Sequence, residues 1–224
     1  MALTPEQLFS LEHTPKINDL TLNLLKEYYE YYLLNESYEY TYEDEYNVAH
    51  TIRLAFKVEN FCHLLGIESI VKHIIKDREL SEYKGLKGWE NICNGTLTFK
   101  NLRATHLKKR FKDKKNKFIF FFLIPHLLKN PKAVSFRNVK VTGSGTRIDC
   151  EILFYSEYFA AYIHLGIKKD VEQNCYFPMS FFVEKITPSK AGDKFILNQD
   201  ELIINAVTAP LSMEEVAATK ELNE

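Results

Sequence analysis

With 224 residues and 46% hydrophobic side chains, the chain is long enough for one large domain or two small ones and needs no disulfide or metal staple to build a core. Its four scattered cysteines (Cys62, Cys93, Cys150, Cys175) form no C-x-x-C pair and no finger-like spacing with histidine, which excludes a zinc-finger reading and points to reduced packing thiols in a cytosolic setting. A net charge of −1 hides two opposed blocks: six acids and no base across residues 28–46, then nine bases against one acid across 100–117, the second a pointer to an anionic ligand.

In chain order, residues 1–16 lack the basic start and apolar stretch of a secretory leader. Leu24, Leu25, Tyr28, Tyr32 and Leu33 recur at helical spacing, so 20–34 is expected to be an amphipathic helix. Eight of the thirteen tyrosines fall in the acidic stretch 28–46, which reads as a solvated helix surface with rings lying across it, or as a face that binds a partner or masks the basic run. Residues 48–75 continue the helical period through Ile52, Ala55, Phe56, Phe61, Leu64 and Leu65, with Gly66 as a break. A glycine-rich loop with a short helix around Trp89 follows, and then a helix over 97–111 with its bases outward.

Beyond that point the period shortens to two. The run FIFFFLIP at 118–125 is far below the roughly 20 residues of a membrane span, and its portion 118–124 reads as a central strand buried on both faces. Residues 135–141 alternate, and Gly143-Ser144-Gly145 is suited to a hairpin turn into a strand over 147–155. Strands over 160–168 and 179–185, a loop at 188–194 and a short helix or frayed tail at 211–224 complete the chain. Helices followed by strands predict an α+β fold with a mostly antiparallel sheet. Its expected parts are an acidic, Tyr-rich helical extension (1–46), a core domain (47–187) and a C-terminal loop and tail (188–224).

The motifs of P-loop NTPases, dinucleotide-binding domains, zincins and α/β-hydrolases are all absent from the sequence, and the acids are not grouped at strand ends as a two-metal site requires. No metal or cofactor is expected. What remains is polar residues in strands built for burial. Alternation places Ile163, Leu165 and Ile167 on one face and Tyr162, His164, Gly166 and Lys168 on the other, and groups Ser180 with Phe182 and Glu184. Were these strands neighbours, His164, Lys168, Ser180 and Glu184 would converge on one concave surface. The plainer alternative for His164 is a half-buried ring satisfied by the backbone.

Four strings carry a family resemblance: Phe61-Cys62-His63-Leu64-Leu65-Gly66-Ile67; Tyr83-Lys84-Gly85 with Trp89 after it; His164-Leu165-Gly166-Ile167; and Phe177-Pro178-Met179-Ser180-Phe181. Their order and spacing resemble the fourth phage-type family of Barnase/EndoU/colicin/RelE-like (BECR) nucleases over about residues 45–186. The resemblance implies a small BECR-like RNase fold, carried by phages and mobile elements, with His63, His164 and Ser180 as the matching polar positions. It also implies RNA as partner. Metal-free cleavage needs a base for the 2′-hydroxyl, an acid for the leaving 5′-oxygen and donors for the charged phosphorane, and it leaves a 2′,3′-cyclic phosphate. In this reading His164 is base or acid, His63 a second proton carrier, Ser180 a donor to a non-bridging oxygen, and Lys168 or Arg147 a phosphate clamp. Lys108, Lys109 and Arg110 would contact the backbone of the RNA, and Tyr155 and Tyr158 are candidates to stack a base. Two alternatives stand beside it: an inactive, phage-encoded interaction protein that inhibits a host defence system, and a toxin restrained by an antitoxin. An acidic segment masking the basic one would make RNA affinity rise when residues 1–46 are deleted.

Overall fold

The computed structural model describes residues 3–34, 36–43, 48–141 and 148–208, the last three by their backbone. Two helices open the chain, α1 (Pro5–Phe9) and α2 (Leu22–Tyr32), started by Thr4 and Thr21, whose hydroxyls accept the otherwise unpaired amides of Gln7 and Leu24. Strands β1 (Ser37–Glu43) and β2 (Ala49–Ala55) come next, followed by helices α3 (Val58–Leu65), α4 (Ile67–Val71), α5 (Gly85–Cys93), α6 (Phe99–Leu102), α7 (Lys108–Phe120) and α8 (Ile124–Lys129). The second half supplies β3 (Lys132–Ser135), β4 (Ile152–Tyr158), β5 (Ala161–Asp170), β6 (Cys175–Lys185), β7 (Asp200–Leu202) and β8 (Ile204–Thr208). The fold is α+β, as the sequence predicts. No helix among the described residues is long and apolar enough to cross a membrane.

The eight strands of the described residues form one sheet in the order β7-β3-β4-β5-β6-β2-β1-β8, antiparallel except where β2 meets β6. Its two edges nearly meet. Leu202 pairs with Ala133 at one edge while Ile204 pairs with Tyr42 at the other, and two residues of extended chain span at most about 7 Å. The sheet therefore curls almost into a barrel. Tyr40 of β1 and Phe154 of β4, with three strands between them in the order, lie only 4.9 Å apart by ring centroid, so the helix-covered face is the concave one. Ile163, Leu165, Ile167 and Phe181 point into it and join Phe61, Leu64, Phe118, Phe121 and Leu127 in the main core.

Several expectations fail for identifiable reasons. Residues 118–124 are helical and tightly turned rather than extended: a continuous apolar run fits a buried helix as well as a buried strand, and Pro125 occupies the first turn of α8, where its missing amide costs nothing. The helix at 20–34 stops at Tyr32, and the acidic Tyr-rich stretch then becomes a strand whose rings are core. Tyr28, Tyr29 and Tyr40 are fully buried, and their hydroxyls donate to the carbonyls of Phe122, Lys57 and Leu128 at 2.7, 2.7 and 2.9 Å. Burial of each ring holds its phenol well above the ordinary range. A segment so embedded, with β1 between β2 and β8, is no detachable mask over the basic run.

Residues 49–55 are likewise strand rather than helix, with Ile52 and Leu54 inward, and 97–111 is split between α6 and the start of α7. The antiparallel pairing of β3 with β4 is present, although β3 ends at Ser135 and a tight turn occupies Asn138–Lys140. The turn glycines 143 and 145 and the terminal segment 211–224 lie outside the described residues. Two short strands, β7 and β8, occupy the region expected to be loop and tail.

Candidate active face and basic surface

On the convex face of the sheet, a second, smaller cluster gathers Val134, Phe136, Ile148, Cys150, Leu153 and Phe195, with Tyr155 and Phe182 packed against it. His164 belongs here. It pairs in register with Phe182, and the two rings stack at 4.5 Å and 7°. Phe195 closes over them, edge-on to His164 at 6.1 Å and to Phe182 at 4.7 Å. The imidazole has 0% exposure, and neither ring nitrogen has a hydrogen-bond partner among the described residues. Burial pushes its pKa down to about 3, and the backbone of Tyr162 and Phe182 offsets this only in part. The ring is therefore neutral at physiological pH.

Residues 187–199 are what seals it. Lys194 ties this strap to the sheet through Glu184 at 3.5 Å and sits 4.5 Å above the Phe195 ring. Gly192 lets the strap lie close: its φ is +79°, and a Cβ there would come within 3.3 Å of the Glu184 carbonyl, the Ile186 side chain and the Tyr162 ring.

Ser180 lies on the same face, half-buried and opposite Gly166 in the neighbouring strand. Gly166 is required there because a Cβ would stand 2.9 Å from both Cβ and Sγ of Cys150. Lys168 also shares the face, its amine bidentate to Asp149 at 3.0 and 3.0 Å. Alternation thus brings His164, Ser180, Lys168 and Glu184 onto one surface, but that surface is convex and partly covered, not a concave cleft.

His63 is elsewhere. It sits on α3, whose Phe61, Cys62, Leu64 and Leu65 pack against the concave side, and its half-exposed ring lies 3.9 Å from Glu68. The sheet thus lies between α3 and the face that carries His164, and the two imidazoles stand on opposite sides of it. Lys108, Lys109 and Arg110 form the first turn of α7, in the helical layer rather than on the His164 face. Arg147 lies outside the described residues. Tyr155 shares the His164 face, whereas Tyr158 packs against the main core.

One residue the sequence did not single out is Lys117. Its stem runs beneath Gly66, and its amine donates to the Leu64 carbonyl at 3.1 Å, capping the end of α3. Desolvation, helped by neighbouring Lys114, brings its pKa down to about 7. In the sequence it is one of the nine bases of 100–117, set apart only by its position one residue before the apolar run that starts at Phe118. Among the described residues, no group of three or more His, Cys, Asp or Glu side chains is placed to hold a metal ion.

No curated protein and no solved structure matches the chain. A family model does, over residues 23–221, well beyond the span of the short motifs and including α2 and β1, the elements that complete the core and the sheet. By that match the chain belongs to the phage-Barnase-EndoU-ColicinE5/D-RelE like nuclease4 family.

Proposed function

We propose that the chain is a metal-independent endoribonuclease, active on RNA from the face that carries His164, Ser180 and Lys168, and that the described conformation is its closed form. The observation that supports this most is His164 itself. A fully buried imidazole with two unpartnered nitrogens is a standing cost in a β-core where any apolar side chain would pack better. Such strain is characteristic of functional positions, and the family is one of nucleases.

With the strap displaced, the neutral ring takes the proton of a ribose 2′-hydroxyl. The 2′-oxygen attacks phosphorus, the P–O5′ bond breaks, and the protonated ring returns the proton to the leaving oxygen. A 2′,3′-cyclic phosphate and a 5′-hydroxyl result. Ser180 donates to a non-bridging oxygen, and Lys168, released from Asp149, balances the charge of the phosphorane. His63 has no part in this step.

A second reading is favoured by a specific observation: the closed strap and the separation of His63 from His164 leave no assembled acid–base pair. In it the chain is non-catalytic and inhibits a host defence protein through its basic surface, since the Tyr-rich segment is core. Incubation with end-labelled RNA in EDTA separates the two. Cleavage by wild type, lost in His164→Ala and reduced in Ser180→Ala, supports the nuclease. Intact RNA with wild type and with a Phe195→Ala protein, whose strap no longer covers the ring, supports the inhibitor.

A further inference from the structure

We infer that the cleft of about 620 Å³ between residues 14–18, α7 and the β4–β5 turn is a binding groove for a single RNA strand, with Lys16, Lys115 and Lys185 on its phosphates and Phe159 beneath a base. The inference rests on the nuclease reading for the identity of the strand, but on different residues from those of the reactive face.

Three lysines line this concavity, and no acid among the described residues lines it with them. Concave walls carrying one sign of charge focus potential and raise the local concentration of a polyanion. The cleft also has an approach. Lys108, Lys112 and Lys115 follow one another at helical spacings of four and three, a stripe roughly 10 Å long that runs down α7 to Ile119 on the groove floor. Asp113, the helix's single acid, lies roughly 140° around from Lys108 and leaves the stripe unneutralised. Across the cleft, the wall bearing Lys16 and Asn18 is fixed by Arg103, whose guanidinium donates to the Ile17 carbonyl and the Asn18 side chain at 3.1 and 3.1 Å.

The turn supplies the independent observation. Phe159 and Ala160 join β4 to β5 with φ of 49° and 53°, both left-handed, in a two-residue hairpin where Asn-Gly is the favoured pair. A bulky aromatic there is strained by its backbone and gains little from burial, since 41% of Phe159 remains exposed. Its ring is steadied by Phe122 at 6.5 Å and 24°, so it stands as a pre-set platform at the groove wall. Cations that follow a backbone beside an aromatic that stacks a base make up the arrangement that binds single strands without sequence preference.

The test uses the full chain and a short fluorescein-labelled 2′-O-methyl RNA, which binds but has no free 2′-hydroxyl to attack. Affinity is read by anisotropy over a range of salt. Joint Lys16→Gln, Lys115→Gln and Lys185→Gln substitution is expected to weaken binding about tenfold or more and to flatten the log–log salt slope by about 2, near 0.7 per lost phosphate contact. Phe159→Gly is expected to weaken binding about fivefold or more with the slope unchanged and the melting temperature not lowered, because glycine relieves the left-handed turn. Wild-type affinity and slope in both proteins would overturn the inference. Cleavage of unmodified RNA, measured separately, tells the two proposals apart: binding lost in these variants while wild type never cleaves keeps the groove and removes the nuclease, and the reverse pattern removes the groove alone.

Discussion

Replacing His164 by phenylalanine should make the protein more stable, and increasingly so in acid. A neutral imidazole carries one N–H donor and one lone pair, and both are buried here without partners. Each such orphan costs about 1–3 kcal/mol relative to an apolar group. Phenylalanine removes both and keeps the ring stack on Phe182 at 4.5 Å. Its extra volume costs about 1–3 kcal/mol in a packed cluster, which leaves a net gain centred on about 2 kcal/mol at pH 7. Below the ordinary histidine pKa the gap widens. With a folded-state pKa of about 3, wild type binds fewer protons than its unfolded chain between roughly pH 6.5 and 3, so its stability falls as pH drops through that window and the loss is complete below it. The limiting slope is about 1.4 kcal/mol per pH unit, or about 2 kcal/mol by pH 5. Phenylalanine has nothing to protonate. Urea unfolding of both proteins at pH 7 and pH 5 measures the difference directly. A variant less stable than wild type by more than about 1 kcal/mol at pH 7, with no widening at pH 5, would refute the reasoning and mean that the ring is hydrogen-bonded after all.

Phe195→Ala removes the ring that closes over His164 and should loosen residues 187–199 selectively. Hydrogen exchange of the strap and of the adjoining end of β6 is expected to accelerate while β1 and β2 stay protected, and uniform acceleration would mean the strap is part of the global fold. Lys117, with its pKa lowered to about 7 by burial, binds fewer protons folded than unfolded between pH 7 and its ordinary 10.5. Stability should therefore rise from pH 7 to 9, below the range where the buried tyrosines titrate, and Lys117→Met should abolish the rise in a melting-temperature series. Tyr40→Phe leaves the Leu128 carbonyl without its 2.9 Å donor and should cost about 1–2 kcal/mol in urea unfolding, whereas Tyr31→Phe, on an exposed ring, should cost almost nothing.

Local periodicity carried the sequence reading where one face of a strand decides burial. The alternation in 160–168 separated Ile163, Leu165 and Ile167 from His164 and Lys168 correctly, and that in 178–185 grouped Ser180 with Phe182, which the register sets opposite His164. A period of two was also present in SYEYTYE, where Tyr38, Tyr40 and Tyr42 alternate with polar residues, but the acidic composition outweighed it. Whether tyrosines line a surface or fill a core depends on partners 88 and 94 residues away, Leu128 and Phe122, which no local window contains. The same holds for the sheet's edges. Residues 200–208 are strands because β3 and β1 both offer unpaired edges that curl within reach of one chain. That curl also determines which face is concave, and so it removed the pocket expected around His164 and put His63 on the far side. The strap itself was legible only as a loop; that its Phe195 would lie on the buried imidazole of the sheet's convex face was not.

The most direct measurement of the central claim uses a labelled DNA oligonucleotide with a single ribose, incubated in EDTA with wild type, Phe195→Ala and His164→Ala proteins, with the products analysed by mass spectrometry. The expected result is one cut on the 3′ side of the ribose, ending in a 2′,3′-cyclic phosphate, faster with Phe195→Ala and absent with His164→Ala. An intact oligonucleotide in every lane while an all-RNA strand is also left whole, or a cut that His164→Ala makes as well as wild type, would contradict it.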